Sequence, residues 1–195
     1  MYVAQVNMQR KGGVCARYPS SCVVRNLLAG AGLLKPFRQL RVLDLTYGKG
    51  LFWKTIPHAL IYAFDIRRLD WVRRPKCFMK APAWAWRHYV NIITDCLRGK
   101  PDLVAVDPPW ATKGTSTRRY YGLDRAFGSI EHILDATVEA ARHFNSYLLV
   151  HLKDRYEPRG FDIVTETYFL PITRYLNLHR ENPYTWFAIL RPRGD

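Results

Sequence analysis

Short apolar runs alternate along this chain with polar, glycine-bearing stretches. Arg41-Val-Leu-Asp-Leu-Thr46 leads into Tyr47-Gly-Lys-Gly50, the pattern of a buried strand entering a glycine turn, and a helix is expected from Leu51. Leu60 to Asp65, Tyr89 to Asp95 and Asp102 to Asp107 repeat the strand pattern, each closing on an aspartate. Ser129 caps a predicted helix through Phe144, because Ile130, Ile133, Leu134, Ala141 and Phe144 share one face. Tyr147 to Lys153 then reads as a fifth strand. A helix is expected near 160–168, and Arg174 to His179 and Thr185 to Leu190 flank a Glu-Asn-Pro turn as an antiparallel hairpin. Ahead of the first strand, Pro19-Ser-Ser21 opens a helix to Leu28, closed near Gly30 and Gly32, which is a candidate lid.

Apolar strands alternating with helices predict an α/β domain, a mostly parallel, doubly wound sheet joined by right-handed crossovers and ending in the antiparallel hairpin. The 195 residues suit one such domain, with residues 1–40 as a basic cap. Ligands of these sheets bind beyond the carboxyl ends of the strands. The glycine turn, Asp65, Asp95 and Asp107 all fall at such ends, so they are expected to converge on one crevice. Cys15, Cys22, Cys77 and Cys96 form no C-x-x-C pair and no zinc spacing, so buried free thiols and no metal are expected.

Charge changes the picture. Lys and Arg number 30 against 16 Asp and Glu, a formal net charge of +14, which points to a polyanionic partner. The excess is regional: residues 1–41 hold seven bases and no acid, whereas residues 129–195 hold eight bases and nine acids. Residues 66–88 add Arg67, Arg68, Arg73, Arg74, Lys76, Lys80 and Arg87 against Asp70, interleaved with Trp71, Phe78, Trp84 and Trp86. That mixture suits phosphates and stacked bases; for any single residue a solvated basic face over core tryptophans is the plainer reading, and it is the regional clustering that favours nucleic acid. Apolar runs such as Tyr147 to Leu152 fall far short of the roughly 20 residues that span a bilayer, and no apolar signal core opens the chain, so a cytoplasmic protein without a membrane partner is expected.

Gly48 and Gly50 allow backbone to approach a ligand where a Cβ would collide. No phosphate-binding P-loop and no full G-x-G-x-x-G pattern accompanies them. Asp65 suits ribose hydroxyls or a helix cap, and Asp95 suits an adenine amine or plain solvent. In Asp107-Pro108-Pro109-Trp110 two prolines hold a rigid extended backbone. It can aim the Asp107 carboxylate and the Pro108 carbonyl at one point, with the Trp110 ring beside it. A planar heterocycle bearing an exocyclic amine fits those groups, while a strand-ending turn with a packed Trp is the plainer alternative.

Taken together these features resemble the class I S-adenosylmethionine-dependent methyltransferases, and among them the amino-methyltransferases of nucleic acids. Asp44-Leu-Thr-Tyr-Gly-Lys-Gly50 is similar to that family's first motif, an acid before a Gly-x-Gly turn, with Thr46 standing where Phe or Gly is usual. Asp107-Pro-Pro-Trp110 is similar to its catalytic motif. The resemblance spans roughly residues 18–153 and implies a Rossmann-like fold with S-adenosylmethionine as cofactor, held by Asp44, Thr46, Tyr47, Gly48, Gly50, Asp65 and Asp95. It further implies methyl transfer to an exocyclic amine, with adenine N6 in DNA preferred. Alternatives are an RNA base, a protein glutamine, and a nucleic-acid-binding module of the same fold without activity. The target base must be flipped out or already single-stranded. Residues 111–128 are expected to form a mobile substrate loop in which Lys113, Arg118 and Arg119, with Arg73 and Arg74 elsewhere, hold phosphates.

Overall fold

The computed structural model describes residues 14–108, 130–169 and 184–194. Helices α1 (Val14–Arg17) and α2 (Pro19–Gly30) precede strand β1 (Arg41–Asp44). A single 3-10 turn (Leu51–Trp53) leads to β2 (Leu60–Asp65) and β3 (Cys77–Lys80). A second 3-10 segment (Ala83–Tyr89) runs into α3 (Val90–Leu97), followed by β4 (Leu103–Val106), α4 (Ile130–Phe144), β5 (Tyr147–Leu152), β6 (Phe161–Phe169) and β7 (Thr185–Pro192).

The strands form one sheet in the order β3-β2-β1-β4-β5-β7-β6. All pairings from β3 to β5 are parallel, and β7 runs antiparallel to both β5 and β6. Alternation along the strands splits the core into two layers. Leu43, Tyr62, Phe64, Val104, Val106, Leu148 and Val150 meet Ile93, Leu97 and the apolar face of α4 on one side. Val42, Ile61, Ala63, Leu103, Ala105 and Leu149 meet Val24 and Leu28 of α2 and the buried Trp53 on the other. Both faces are therefore covered, which is why the inner strands read as continuous apolar runs.

Several expectations change. Tyr89 to Asp95 is not a strand: Ile93 and Leu97 sit four apart and pack inward while Ile92 is 51% exposed, a helical division of one β-branched run. The neighbour of β2 is instead the short edge strand β3. The stretch expected as a helix near 160–168 is instead strand β6, and β6 is the hairpin partner of β7. The run Arg174 to His179 lies outside the described residues. The stretch after Leu51 closes as one 3-10 turn. Helix α2 is a layer of the fold and not a lid, because Ser21, Val24 and Leu28 are fully buried and Ser21 Oγ donates 2.9 Å to Phe52 O. The cysteines are paired as disulfides, Cys15 with Cys22 and Cys77 with Cys96, rather than free. No helix among the described residues is long and apolar enough to cross a membrane.

Candidate active site

Because β2, β1 and β4 are parallel neighbours, their carboxyl ends lie side by side, and the segments leaving them interlock. Tyr47 N donates to Phe64 O on β2 at 3.0 Å, and Leu45 N donates to Ala105 O on β4 at 3.1 Å. The glycine turn then rises with left-handed backbone at Gly48 (φ 56°) and Gly50 (φ 72°). A Cβ at Gly50 would stand 2.5 Å from the Tyr47 hydroxyl and 2.7 Å from Arg73 O, so this glycine serves packing. A Cβ at Gly48 would meet nothing nearer than Thr46 O at 4.0 Å, so this glycine faces open space at the strand ends.

Three aspartates converge there with different duties. Asp44 is buried, its Oδ2 accepting from Trp53 Nε1 at 2.7 Å and its Oδ1 from Thr46 N at 3.0 Å. Burial pushes its carboxyl up to about 7, against those two hydrogen bonds and with smaller pushes from the charges of Asp107 and Asp65. Asp44 therefore supports the turn from within the core. Asp65 accepts from Gly48 N at 2.8 Å and from Arg67 N at 2.9 Å, so it fixes the open glycine. Each of its oxygens retains a second lone pair for a hydroxyl.

Asp107 follows β4 directly. Its backbone N–H donates to Thr46 Oγ1 at 2.6 Å, which ties the head of the diproline segment to the glycine turn. Its Oδ1 lies 2.9 Å from Nδ1 of His151 on β5, and Nε2 of that ring lies 3.0 Å from Thr185 Oγ1 on β7. The imidazole stacks on Phe187 with centroids 3.7 Å apart and planes 13° from parallel. With the carboxylate ionised, Nδ1 donates the proton of that bond. The Asp107 side chain stays 39% exposed, and among the described residues its Oδ2 accepts no hydrogen bond. One oxygen is thus anchored and the other remains for a donor.

His151 was not anticipated from the sequence. The signal was present: a lone polar residue in the otherwise apolar run Tyr147 to Leu152, whose neighbours are all buried, needs a partner.

Other expected site residues are placed elsewhere. Asp95 lies on α3 and is exposed, so the strand end that would have carried it to the crevice does not exist. Tyr47 is core, its hydroxyl donating 2.7 Å to Arg73 O. The Arg73 guanidinium donates to the carbonyls of Trp53, Ile56, Pro57 and Ala59, which consumes the donors a phosphate would need. Arg73 is therefore a structural clamp and not a nucleic-acid contact. Arg74 is exposed, and Pro108 is buried. Pro109, Trp110, Lys113, Arg118 and Arg119, with the rest of 111–128, lie outside the described residues.

No protein-family model matches the sequence, and no curated protein matches it. Solved structures do match. Magnesium protoporphyrin IX methyltransferase (ChlM) from Synechocystis PCC 6803 with bound SAM superposes with a TM-score of 0.50 at 16% identity, over 93% of this chain and 81% of that one. The same enzyme with bound SAH gives 0.50 at 15%, over 93% and 84%. An rRNA methylase from Streptococcus thermophilus gives 0.45 at 15%, over 87% and 95%. At these identities the likeness is one of fold: the chain has the Rossmann-like methyltransferase fold, a mostly parallel sheet of seven strands with the antiparallel hairpin at its end.

Proposed function

We propose that this chain is an S-adenosylmethionine-dependent methyltransferase that modifies an exocyclic amine of a nucleic-acid base, adenine N6 in DNA being the preferred target. The observation that supports it most is Asp107: a half-open carboxylate at the tip of β4, heading a diproline segment and bonded through its own backbone to the glycine turn.

The residues present fit the cofactor. Open space beside Gly48 admits its methionine portion, and the Asp65 lone pairs suit ribose hydroxyls. Asp65 and Asp107 lie close enough to Asp44 that their charges push its carboxyl up, and their carboxylates suit a cationic sulfonium. S-adenosylmethionine, when bound, supplies an electrophilic methyl group on a positively charged sulfur.

The chain's own part is to prepare the nitrogen. An exocyclic amine conjugated with its ring is a poor nucleophile. Asp107 Oδ2 and the Pro108 carbonyl accept its two N–H bonds, draw the lone pair out of conjugation and aim it. The Asp107 carboxylate would take up the proton that the amine gives up on receiving the methyl group. Positioning and electrostatics account for the rate, with no covalent enzyme intermediate. The net charge of +14 favours this reading over a protein glutamine target.

Incubation with methyl-labelled S-adenosylmethionine and separate DNA, RNA and protein tests it. Label is expected in DNA adenine and should vanish in Asp107→Ala while cofactor binding by calorimetry persists. Unlabelled nucleic acid, or undiminished turnover by Asp107→Ala, would remove the proposal.

A further inference from the structure

The turn Lys35-Pro36-Phe37-Arg38 stands at the opposite end of the sheet, where the chain approaches the start of β1. Arg38 N closes it on Lys35 O at 3.5 Å, with Pro36 at the second position. The third position has φ of 63° and is occupied by Phe37. A type II turn ordinarily takes glycine or asparagine there, because a Cβ strains left-handed backbone. Burial does not compensate, since Phe37 is 110% exposed while the other exposed large hydrophobics among the described residues reach at most 51%. Folding alone thus gives no reason for an aromatic ring at this tip. A strained residue presented wholly to solvent points to an occupant.

Its surroundings say which kind. Lys35 and Arg38 flank the ring, and with Arg41 and Lys100 they line a cleft of about 420 Å3 that reaches the starts of β1, β4 and β5. The one acid lining it, Asp102, is already bonded to Arg38 at 2.6 Å and to Arg41 at 2.8 Å, so the cleft is net positive. An apolar partner gains nothing from the cations, and a bare polyanion gains nothing from the ring. A chain of phosphates carrying unstacked bases uses both.

We propose that the Lys35–Arg38 turn and the cleft beneath it form a binding surface for single-stranded nucleic acid, Phe37 stacking on a base while Lys35, Arg38 and Lys100 hold neighbouring phosphates. The surface is separate from the methyl-transfer edge and does not depend on that reading. Asp102 and Asp107 stand at opposite ends of β4, five residues of strand or about 16 Å apart.

The test uses the full chain and fluorescence anisotropy with labelled oligo(dT), oligo(U) and a DNA duplex, without cofactor. Phe37→Gly relieves the turn, so its melting temperature holds or rises, yet single-strand affinity falls about tenfold. Phe37→Trp retains affinity. Lys35→Ala with Lys100→Ala flattens the dependence of log affinity on log salt by about 0.7 per lost phosphate contact. Duplex affinity is unchanged by Phe37→Gly, because paired bases offer no free face. The preference of the Phe37 effect for oligo(dT) or oligo(U) identifies the strand as DNA or RNA. The proposal is overturned if wild type binds neither oligonucleotide, if Phe37→Gly binds both as tightly as wild type, or if single strand and duplex lose affinity equally.

Discussion

Asp107 is aimed by a neighbour on another strand, and that division of labour has a measurable signature. If His151 fixes one carboxylate oxygen at 2.9 Å so that the other meets the amine, His151→Ala should lower kcat about 10- to 100-fold while leaving KM and cofactor affinity nearly unchanged. His151→Asn, which restores a donor near the Nδ1 position, should recover part of the loss; a purely structural role would instead depress the melting temperature and show no such recovery. Asp44 makes a separate prediction. Its folded carboxyl titrates near 7, above the ordinary value of 3.8, so the folded chain binds this proton more tightly than the unfolded one. Its contribution to stability is therefore full below about pH 4, declines as pH rises to about 7 and is flat beyond. Melting temperatures at pH 5 and pH 8 should differ more in wild type than in Asp44→Asn. Asp107 and the glycine turn were readable from sequence because a diproline and a Gly-x-Gly impose backbone shapes by themselves. His151 escaped because its meaning lies in a bond across 44 positions of chain.

The elements show where pattern reading succeeds. Strands β1, β2, β4 and β5 sit inside the sheet, buried on both faces, and their continuous apolar runs announced them. The failures lie at the margins. Strand β3 has four residues, three of them only partly buried, and carries almost no pattern. Strand β6 is the far edge, half solvated, with a register shift between Ile163 and Thr165 that breaks its alternation. Helix α3 is a β-branched run whose helical form is set by what it packs against. The Cys77–Cys96 disulfide joins the edge strand β3 to this helix. Closing a loop of that size stabilises a fold by about 3 kcal/mol. Cys77→Ser with Cys96→Ser should lower stability by about that amount in denaturant titration, and thiol counting on the unreduced protein should find neither cysteine free.

Across the whole molecule the two ends of the strands gather different charges. The chain is strongly basic, yet Asp44, Asp65 and Asp107 meet at the carboxyl ends of the strands, while the cleft at the other end is lined by four bases and one acid. Composition announced the first fact. The separation of the two ends became visible only with the topology, which sends residues 44, 65 and 107 one way and residues 35, 38 and 100 the other. The 2.6 Å bond from Asp107 N to Thr46 Oγ1 ties the tip of β4 to the segment leaving β1. An amide just past the tip of a strand ordinarily trades its proton with water quickly. This one should trade slowly, and the Gly48 amide, held by Asp65, should share its protection. Replacing Thr46 with Val would cut the strap, and deuterium should then enter both amides faster and together, as if two loops remote in sequence opened on one hinge.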